Sequence, residues 1–201
     1  GEQTSAAASA LLLKFQKTVR GRINDVSVLV RRQASKILSA FAINHPDHPD
    51  VVKVCLDLLR RSGDSDILRK LVLSTFEVLW FQNDEPTSTA AHQLARVVHA
   101  SCNMSSADTR ASCKFLVQML ARLRENLKNK RRSKGYQYAI RRWTTLLLNE
   151  FVQLIGVDGS EFAKQHGEEE RWLQAQALLT TMEEFAAAEP NEMASHLRPL
   201  T

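Results

Sequence analysis

The sequence predicts an all-α protein built from stacked antiparallel helix pairs, an α-solenoid of about four pairs. Glycine and proline are scarce, with 7 and 5 residues among 201, and aromatic residues make up 6% of the chain. This composition favours helices over many short strands. Apolar residues recur at helical spacing through most of the chain. A polar turn, a basic residue and an apolar helix follow one another twice, which indicates a repeat.

The repeat pattern is clearest between Asp25 and Ala34. Asp25 stands at a polar turn, Arg31 follows six residues later, and the small Ala34 comes three residues after that. This spacing is typical of the second helix of a HEAT-type hairpin. The Asp accepts backbone N–H bonds at the turn, the arginine stem lies along the neighbouring unit, and the Ala lets two helices approach closely. Val30 belongs to the same signature and is expected in the core. For Arg31, packing is favoured over a phosphate contact.

Apolar periodicity predicts four helices in the first part of the chain, over 7–22, 28–43, 51–61 and 67–81. Prolines and a capping Asp mark the turn over 45–50, and a Gly with a second capping Asp marks the turn over 62–66. The second helix is expected to bury Val30, Ala34, Ile37, Leu38 and Phe41.

Four further helices are predicted over 89–101, 107–127, 136–155 and 168–188, with polar breaks at 82–88, 129–135 and 156–159. Trp143, Trp172 and Leu179 are expected inward. The whole chain, 1–201, then forms one HEAT-repeat segment with approximate units 7–43, 50–82, 88–128 and 136–188, and a truncated helix at 190–201. Because the chain begins with Gly and shows no targeting segment, we expect a fragment of a larger protein.

The positive charge is concentrated between residues 122 and 142. The chain has a formal net charge of +5, but this basic segment carries nine Lys and Arg residues against Glu125 alone. Two tyrosines and Trp143 are interleaved, although Trp143 is also at core spacing. Such a segment can bind phosphates and stack on bases. A nuclear localisation signal over 128–134 and a solvated loop remain alternatives. The candidate DNA contacts here are Lys128, Lys130, Arg131, Arg132, Lys134, Arg141 and Arg142.

A second basic group surrounds the first turn, where Arg20, Arg22 and Arg32 are candidates for contact with backbone phosphates. No helix presents Asn or Gln in a pattern suited to reading base edges. Any binding of duplex DNA is therefore expected to be independent of sequence.

Several functional classes are disfavoured by the sequence. The three cysteines, Cys55, Cys102 and Cys113, form no CxxC pair, so we expect buried thiols in a reducing compartment, the cytosol or nucleus. The close histidine pair, His45 and His48, lacks further ligands, and no nucleophile motif or phosphate loop occurs. We expect no catalysis, metal, cofactor or small-molecule substrate. No apolar run approaches the 18 residues of a membrane span.

Residues 70–81, with the sequence KLVLSTFEVLWF, resemble a signature of the Nipped-B (adherin) family of cohesin loaders, and Trp80 is part of it. Cys55 and the LRR of 59–61 precede it at the right distance. Residues 19–25 with Val30 and Arg31 are similar to the family's preceding repeat, and 177–200 to its next repeat. The resemblance covers 17–82 well and 172–200 more loosely, whereas the middle of the chain matches nothing in the family.

This resemblance implies a nuclear HEAT-repeat protein that embraces DNA and cohesin and stimulates the cohesin ATPase. The expected partners are double-stranded DNA, bound without sequence preference, and the cohesin subunits, namely the kleisin and the SMC heads. The expected role is chromatin binding and cohesin loading, in sister-chromatid cohesion and the cell cycle. The rival prediction is another HEAT or armadillo scaffold that binds polypeptides and has no direct role at DNA.

Overall fold

The computed structural model describes residue 14 and residues 17–81, 86–103, 115–129, 133–156 and 159–190. These residues are almost entirely α-helical and include no strand, which confirms the all-α prediction. A helical segment over 17–22 comes first. It is followed by α1 (Val28–Asn44), α2 (Val51–Arg61), α3 (Asp66–Phe81), α4 (Ser88–Asn103), α5 (Phe115–Asn129), α6 (Ser133–Ile155), α7 (Gly159–His166) and α8 (Glu168–Ala188).

The chain divides into two compact units, Gly1–Thr75 and Phe76–Thr201, with the boundary inside α3. The division into four helix pairs at the boundaries given above stays a prediction.

The core of the first unit forms where α1 packs against α2. Ala34 and Ala42 are almost completely buried on α1, and small side chains at these positions let the helices approach closely. Val30 and Ile37 were expected in this core, but 37% and 40% of their surfaces are exposed. They lie at the edge of the buried stripe, which runs through Ala34, Ser35, Leu38, Ser39, Phe41 and Ala42.

Cys55 and the two histidines of the 45–50 turn have structural roles in this unit. Cys55 is fully buried on α2, and this burial raises the pKa of its thiol. His45 and His48 both lie against the Phe41 ring, with ring centroids 5.4 and 5.1 Å away. The Asp50 amide also donates to Nδ1 of His48. Packing on Phe41 therefore accounts for the histidine pair.

In the second unit, α8 packs against α4, α5, α6 and α7, and α5 packs against α6. Leu94 and Val98 of α4, Leu147 of α6 and Leu178 of α8 are essentially inaccessible to solvent. Trp143 is buried and lies 5.2 Å from the Phe81 ring, as its core spacing predicts.

A polar cluster links three of these helices. Nε2 of His92 on α4 lies 3.0 Å from the Glu150 carboxylate on α6. Nδ1 of the same ring contacts the amide nitrogen of Gln174, a buried residue on α8. The neutral imidazole with its proton on Nε2 satisfies both contacts, because Nε2–H donates to Glu150 and Nδ1 accepts from Gln174.

Three features of the second unit differ from the sequence prediction. Helix α7 was not predicted, because its eight residues contain a single large apolar side chain, Phe162, and show no period. Helix α6 begins at Ser133, inside the stretch predicted as a polar break. Trp172 and Leu179 face solvent, since the buried stripe of α8 runs through Gln174, Ala175, Ala177, Leu178, Thr181 and Phe185.

Candidate nucleic-acid interface

Arg31 is held by two turns, the turn before α1 and the turn between α2 and α3. Its Nε donates to the Asp64 carboxylate at 2.8 Å, and both side chains are largely buried. Its Nη1 donates to the carbonyls of Asp25 and Val26 at 2.9 and 3.0 Å. Asp25 in turn accepts the amide N–H of Ser27, which closes the turn before α1. The guanidinium is thus satisfied inside the first unit.

A second arginine extends this arrangement. Arg61, at the end of α2, donates to the Asn24 side chain at 2.7 Å and lies 3.7 Å from the Asp64 carboxylate. Together Asn24, Asp25, Arg31, Arg61 and Asp64 form what we call the turn network. It joins the turn before α1 to the turn between α2 and α3.

The first group of candidate phosphate contacts divides into paired and exposed side chains. Nε of Arg20 lies 2.6 Å from the carboxylate of Asp57, which also accepts from Arg60 at 3.0 Å. Arg22 is 68% exposed and makes only a longer, 3.4 Å contact with Asp25. Arg32 is half-buried on α1. Arg22 therefore offers solvent the most accessible guanidinium of the three.

The described residues of the basic segment, 122–129 and 133–142, lie on two adjacent helices, the end of α5 and the beginning of α6. Two of its cations are paired with carboxylates from elsewhere in the second unit. Arg122 donates to Glu77 of α3 at 3.1 Å, and Arg124 contacts both carboxylate oxygens of Glu189. The side chains of five of the proposed contacts, Lys128, Lys130, Arg131, Arg132 and Lys134, lie outside the described residues.

The remaining two candidates, Arg141 and Arg142, lie on α6. Arg141 is exposed. The guanidinium of Arg142 stands over the Tyr138 ring, with 5.1 Å between its central carbon and the ring centroid. Tyr138 is also exposed, so this stacked pair presents a cation and an aromatic face at the surface. Trp143, in contrast, is committed to the core.

The acidic partners of Arg20 and Arg122 were not predicted from the sequence, whereas a packing role was expected for Arg31. Arg20–Asp57 and Asn24–Arg61 are each 37 residues apart, and Arg31–Asp64 are 33 apart. These separations match the lengths of the predicted units 7–43 and 50–82. The pairs Arg20–Asp57 and Arg31–Asp64 therefore correspond in the sequence to opposite charges about one predicted unit apart.

The described residues contain no group of three His, Cys, Asp or Glu side chains that could hold a metal ion. None of the helices that the structure describes is both long and apolar enough to cross a membrane.

Comparison with known proteins identifies relatives along most of the chain. The mouse and human Nipped-B-like proteins are each 26% identical over 179 residues, which is 87% of this chain and 6% of theirs. The Nipped-B-like protein scc-2 of Caenorhabditis elegans is 24% identical over 194 residues, 93% of this chain and 9% of that protein. The chain is a distant homologue of the Nipped-B-like proteins. No protein-family model and no solved structure matches it.

The Nipped-B homology extends further than the motifs indicated. A match over 93% of the chain takes in its middle, including the basic segment that the motifs left unconnected to the family. The chain spans less than a tenth of the length of these relatives. The homology therefore relates this chain to one part of a Nipped-B-like protein.

Proposed function

We propose that this chain is a structural and regulatory HEAT-type segment of a nuclear cohesin loader. In this proposal it helps to load cohesin onto chromatin by contacting DNA without sequence preference and by binding cohesin subunits. The observation that carries the proposal is the homology with Nipped-B-like proteins over 87–93% of the chain. The basic segment, nine cations against one carboxylate in 21 residues, supports the DNA part.

We assign the principal DNA contact to the end of α5, the start of α6 and the residues between them. Lys128, Lys130, Arg131, Arg132 and Lys134 would neutralise phosphates, and Arg141 and Arg142 would extend that surface along α6. Tyr138 adds an aromatic face beside Arg142. Arg122 and Arg124 are assigned to stability instead, because each is paired with a carboxylate.

Arg22 and Arg32 form a second, weaker candidate contact in the first unit. Arg20 belongs to the same group in sequence, but its guanidinium is paired with Asp57, which favours a structural role. A structural role is favoured for Arg31 for the same reason, because its Nε pairs with Asp64 and its Nη1 donates to the turn carbonyls of Asp25 and Val26.

A protein-only scaffold is the second candidate function. The observation that favours it is the number of arginines whose charge is compensated internally, namely Arg20, Arg31, Arg122 and Arg124. A scaffold of this kind would hold a polypeptide tightly and bind DNA only weakly.

Two binding measurements on the same preparation separate these functions. Fluorescence anisotropy with two duplexes of unrelated sequence should give similar micromolar affinities, as expected for contacts to phosphate. A pull-down with purified kleisin and SMC heads should recover the chain. Recovery of the kleisin with no measurable duplex binding would favour the scaffold. Loss of both activities would refute the proposed function.

A further inference from the structure

Helix α8 has apolar side chains on two opposite faces. Its inner face packs on the rest of the second unit through residues such as Leu178 and Phe185. On the outer face, Trp172, Leu173 and Leu179 expose 59%, 44% and 43% of their surfaces. A helix that is apolar on both sides is ordinarily covered on both sides. Tryptophan is also among the residues most enriched at the hot spots of binding surfaces.

The outer residues follow the spacing of a helix–helix seam. Glu169, Trp172, Gln176, Leu179 and Glu183 are separated by steps of three, four, three and four residues, and all five are exposed. This alternation places one residue of each turn along a single line, as in the seam of a coiled coil. We call these five residues and Leu173 the outer stripe. Its shape suits a second helix lying lengthwise along α8.

The acidic residues of the outer stripe indicate that its partner carries positive charge. Carboxylates stand at both ends, and neither Glu169 nor Glu183 forms an ion pair among the described residues. Arg171 is the one cation of α8, and it is already engaged. It donates to the Leu154 carbonyl at 2.7 Å and contacts Glu168 at 3.2 Å. Its guanidinium also lies 5.3 Å from the Trp172 ring, which helps to hold that ring in place.

We propose that the outer stripe is a docking surface for an amphipathic helix of another polypeptide, with an apolar stripe flanked by Lys or Arg. The apolar residues of that helix pack on Trp172, Leu173 and Leu179, and its cations lie beside Glu169 and Glu183. Burial of the tryptophan supplies most of the affinity, and the carboxylates fix the orientation and reject acidic helices. This inference does not depend on DNA binding.

Helix α1 offers an internal comparison. It also exposes apolar residues, including Leu29 and Ile37, but it contains no acidic residue and carries Arg31, Arg32 and Lys36. A basic helix is therefore expected to avoid α1 and to select α8. Because α1 is itself basic and partly apolar, the α1 helix of a second copy is the competing occupant that the experiment has to distinguish.

The test uses a synthetic 21-residue helical peptide with leucines at alternating three- and four-residue steps and lysines beside them. A matched peptide carries glutamates in place of the lysines. Titration calorimetry should detect binding of the basic peptide and none of the acidic one. Trp172→Ala should weaken binding at least about tenfold. The double variant E169Q/E183Q should remove its salt dependence. The matched control Ile37→Ala on α1 should leave binding unchanged.

Circular dichroism should show that these surface variants remain folded, since each replaces an exposed side chain. Equal binding of the two peptides, no binding of the basic peptide, or unchanged binding to Trp172→Ala would overturn the proposal. Sedimentation velocity distinguishes the competing occupant. A dimer that Trp172→Ala dissociates would assign the outer stripe to a second copy and would also overturn the proposal.

Discussion

The guanidinium of Arg31 lies 2.8 Å from the carboxylate of Asp64, a residue in the turn between α2 and α3. The same guanidinium donates to two carbonyls of the turn that precedes α1. One side chain therefore holds its own turn closed and ties it to the turn between α2 and α3. The most conspicuous basic residue of the repeat signature thus has a structural role in the first unit.

Replacing Arg31 with Ala should lower the free energy of unfolding by about 1–3 kcal/mol, because two turn carbonyls lose their donor and the Asp64 carboxylate keeps only the longer contact with Arg61. Arg31→Lys should recover only part of this loss, since an ammonium cannot reproduce the forked geometry. Urea denaturation measures both changes. Arg69→Ala is the control, because its ion pair with Asp66 is exposed and should contribute less than about 0.5 kcal/mol. Equal losses for Arg31→Ala and Arg69→Ala would contradict the structural role.

Arg20 and Arg22 lie two residues apart and should respond differently to substitution. Arg20→Ala removes the less exposed of the two partners of Asp57 and should destabilise the fold by about 1–2 kcal/mol with little effect on duplex binding. Arg22→Ala should leave stability within about 0.5 kcal/mol and weaken duplex binding slightly, because its side chain is mostly exposed. Denaturation and anisotropy on the two variants test this. If Arg20→Ala weakened duplex binding and Arg22→Ala lowered stability, the ion pair with Asp57 would not determine which arginine is structural.

The cluster of His92, Glu150 and Gln174 should be a sensitive point of the second unit. His92→Ala removes the partner of a mostly buried carboxylate and of a buried amide, and should cost about 2–3 kcal/mol. The nitrogen chemical shifts of the imidazole should place a proton on Nε2, the nitrogen that faces the Glu150 carboxylate. His166→Ala on α7 is the control, because that ring is exposed. A proton on Nδ1, or a loss no larger than that of the control, would argue against the cluster.

Cys55 should be chemically inert in the folded protein. Its burial raises the pKa of the thiol, so the thiolate that reacts with alkylating agents stays scarce between pH 7 and pH 9. In a variant with Cys102→Ser and Cys113→Ser, iodoacetamide labelling should be very slow over this range and become fast in urea. A labelling rate without denaturant that is close to the rate in urea, and that levels off towards pH 9, would indicate an accessible thiol of ordinary pKa instead.

The helical architecture was predictable because periodicity is a local property of the chain. The prediction of α8 over 168–188 coincides with the observed helix, and Trp143 is buried as its spacing indicates. Which face of a helix is buried is a different matter, because it depends on the neighbouring helices. Since α8 is apolar on both sides, its period could not show that Trp172 and Leu179 face solvent.

Whether a given cation is paired with a carboxylate could not be predicted from its neighbours in the sequence either. Arg20, Arg31 and Arg122 are compensated by carboxylates 33–45 residues away, so their local charge density overstates what is available to DNA. The resemblance to the Nipped-B family rested on two separated stretches of the chain, 17–82 and 172–200. The full comparison with Nipped-B-like proteins then supplied the middle of the chain.

The most direct test of the DNA assignment is the salt dependence of duplex binding. We would replace Lys130, Arg131, Arg132 and Lys134 with Gln, and compare a control that loses four cations elsewhere, Lys53, Arg69, Lys70 and Lys164, all exposed. The slope of log K against log salt should become shallower by roughly 2–4 in the first variant and by less than about 1 in the control. An unchanged slope in the first variant, or equal changes in both, would contradict a DNA contact through the basic segment.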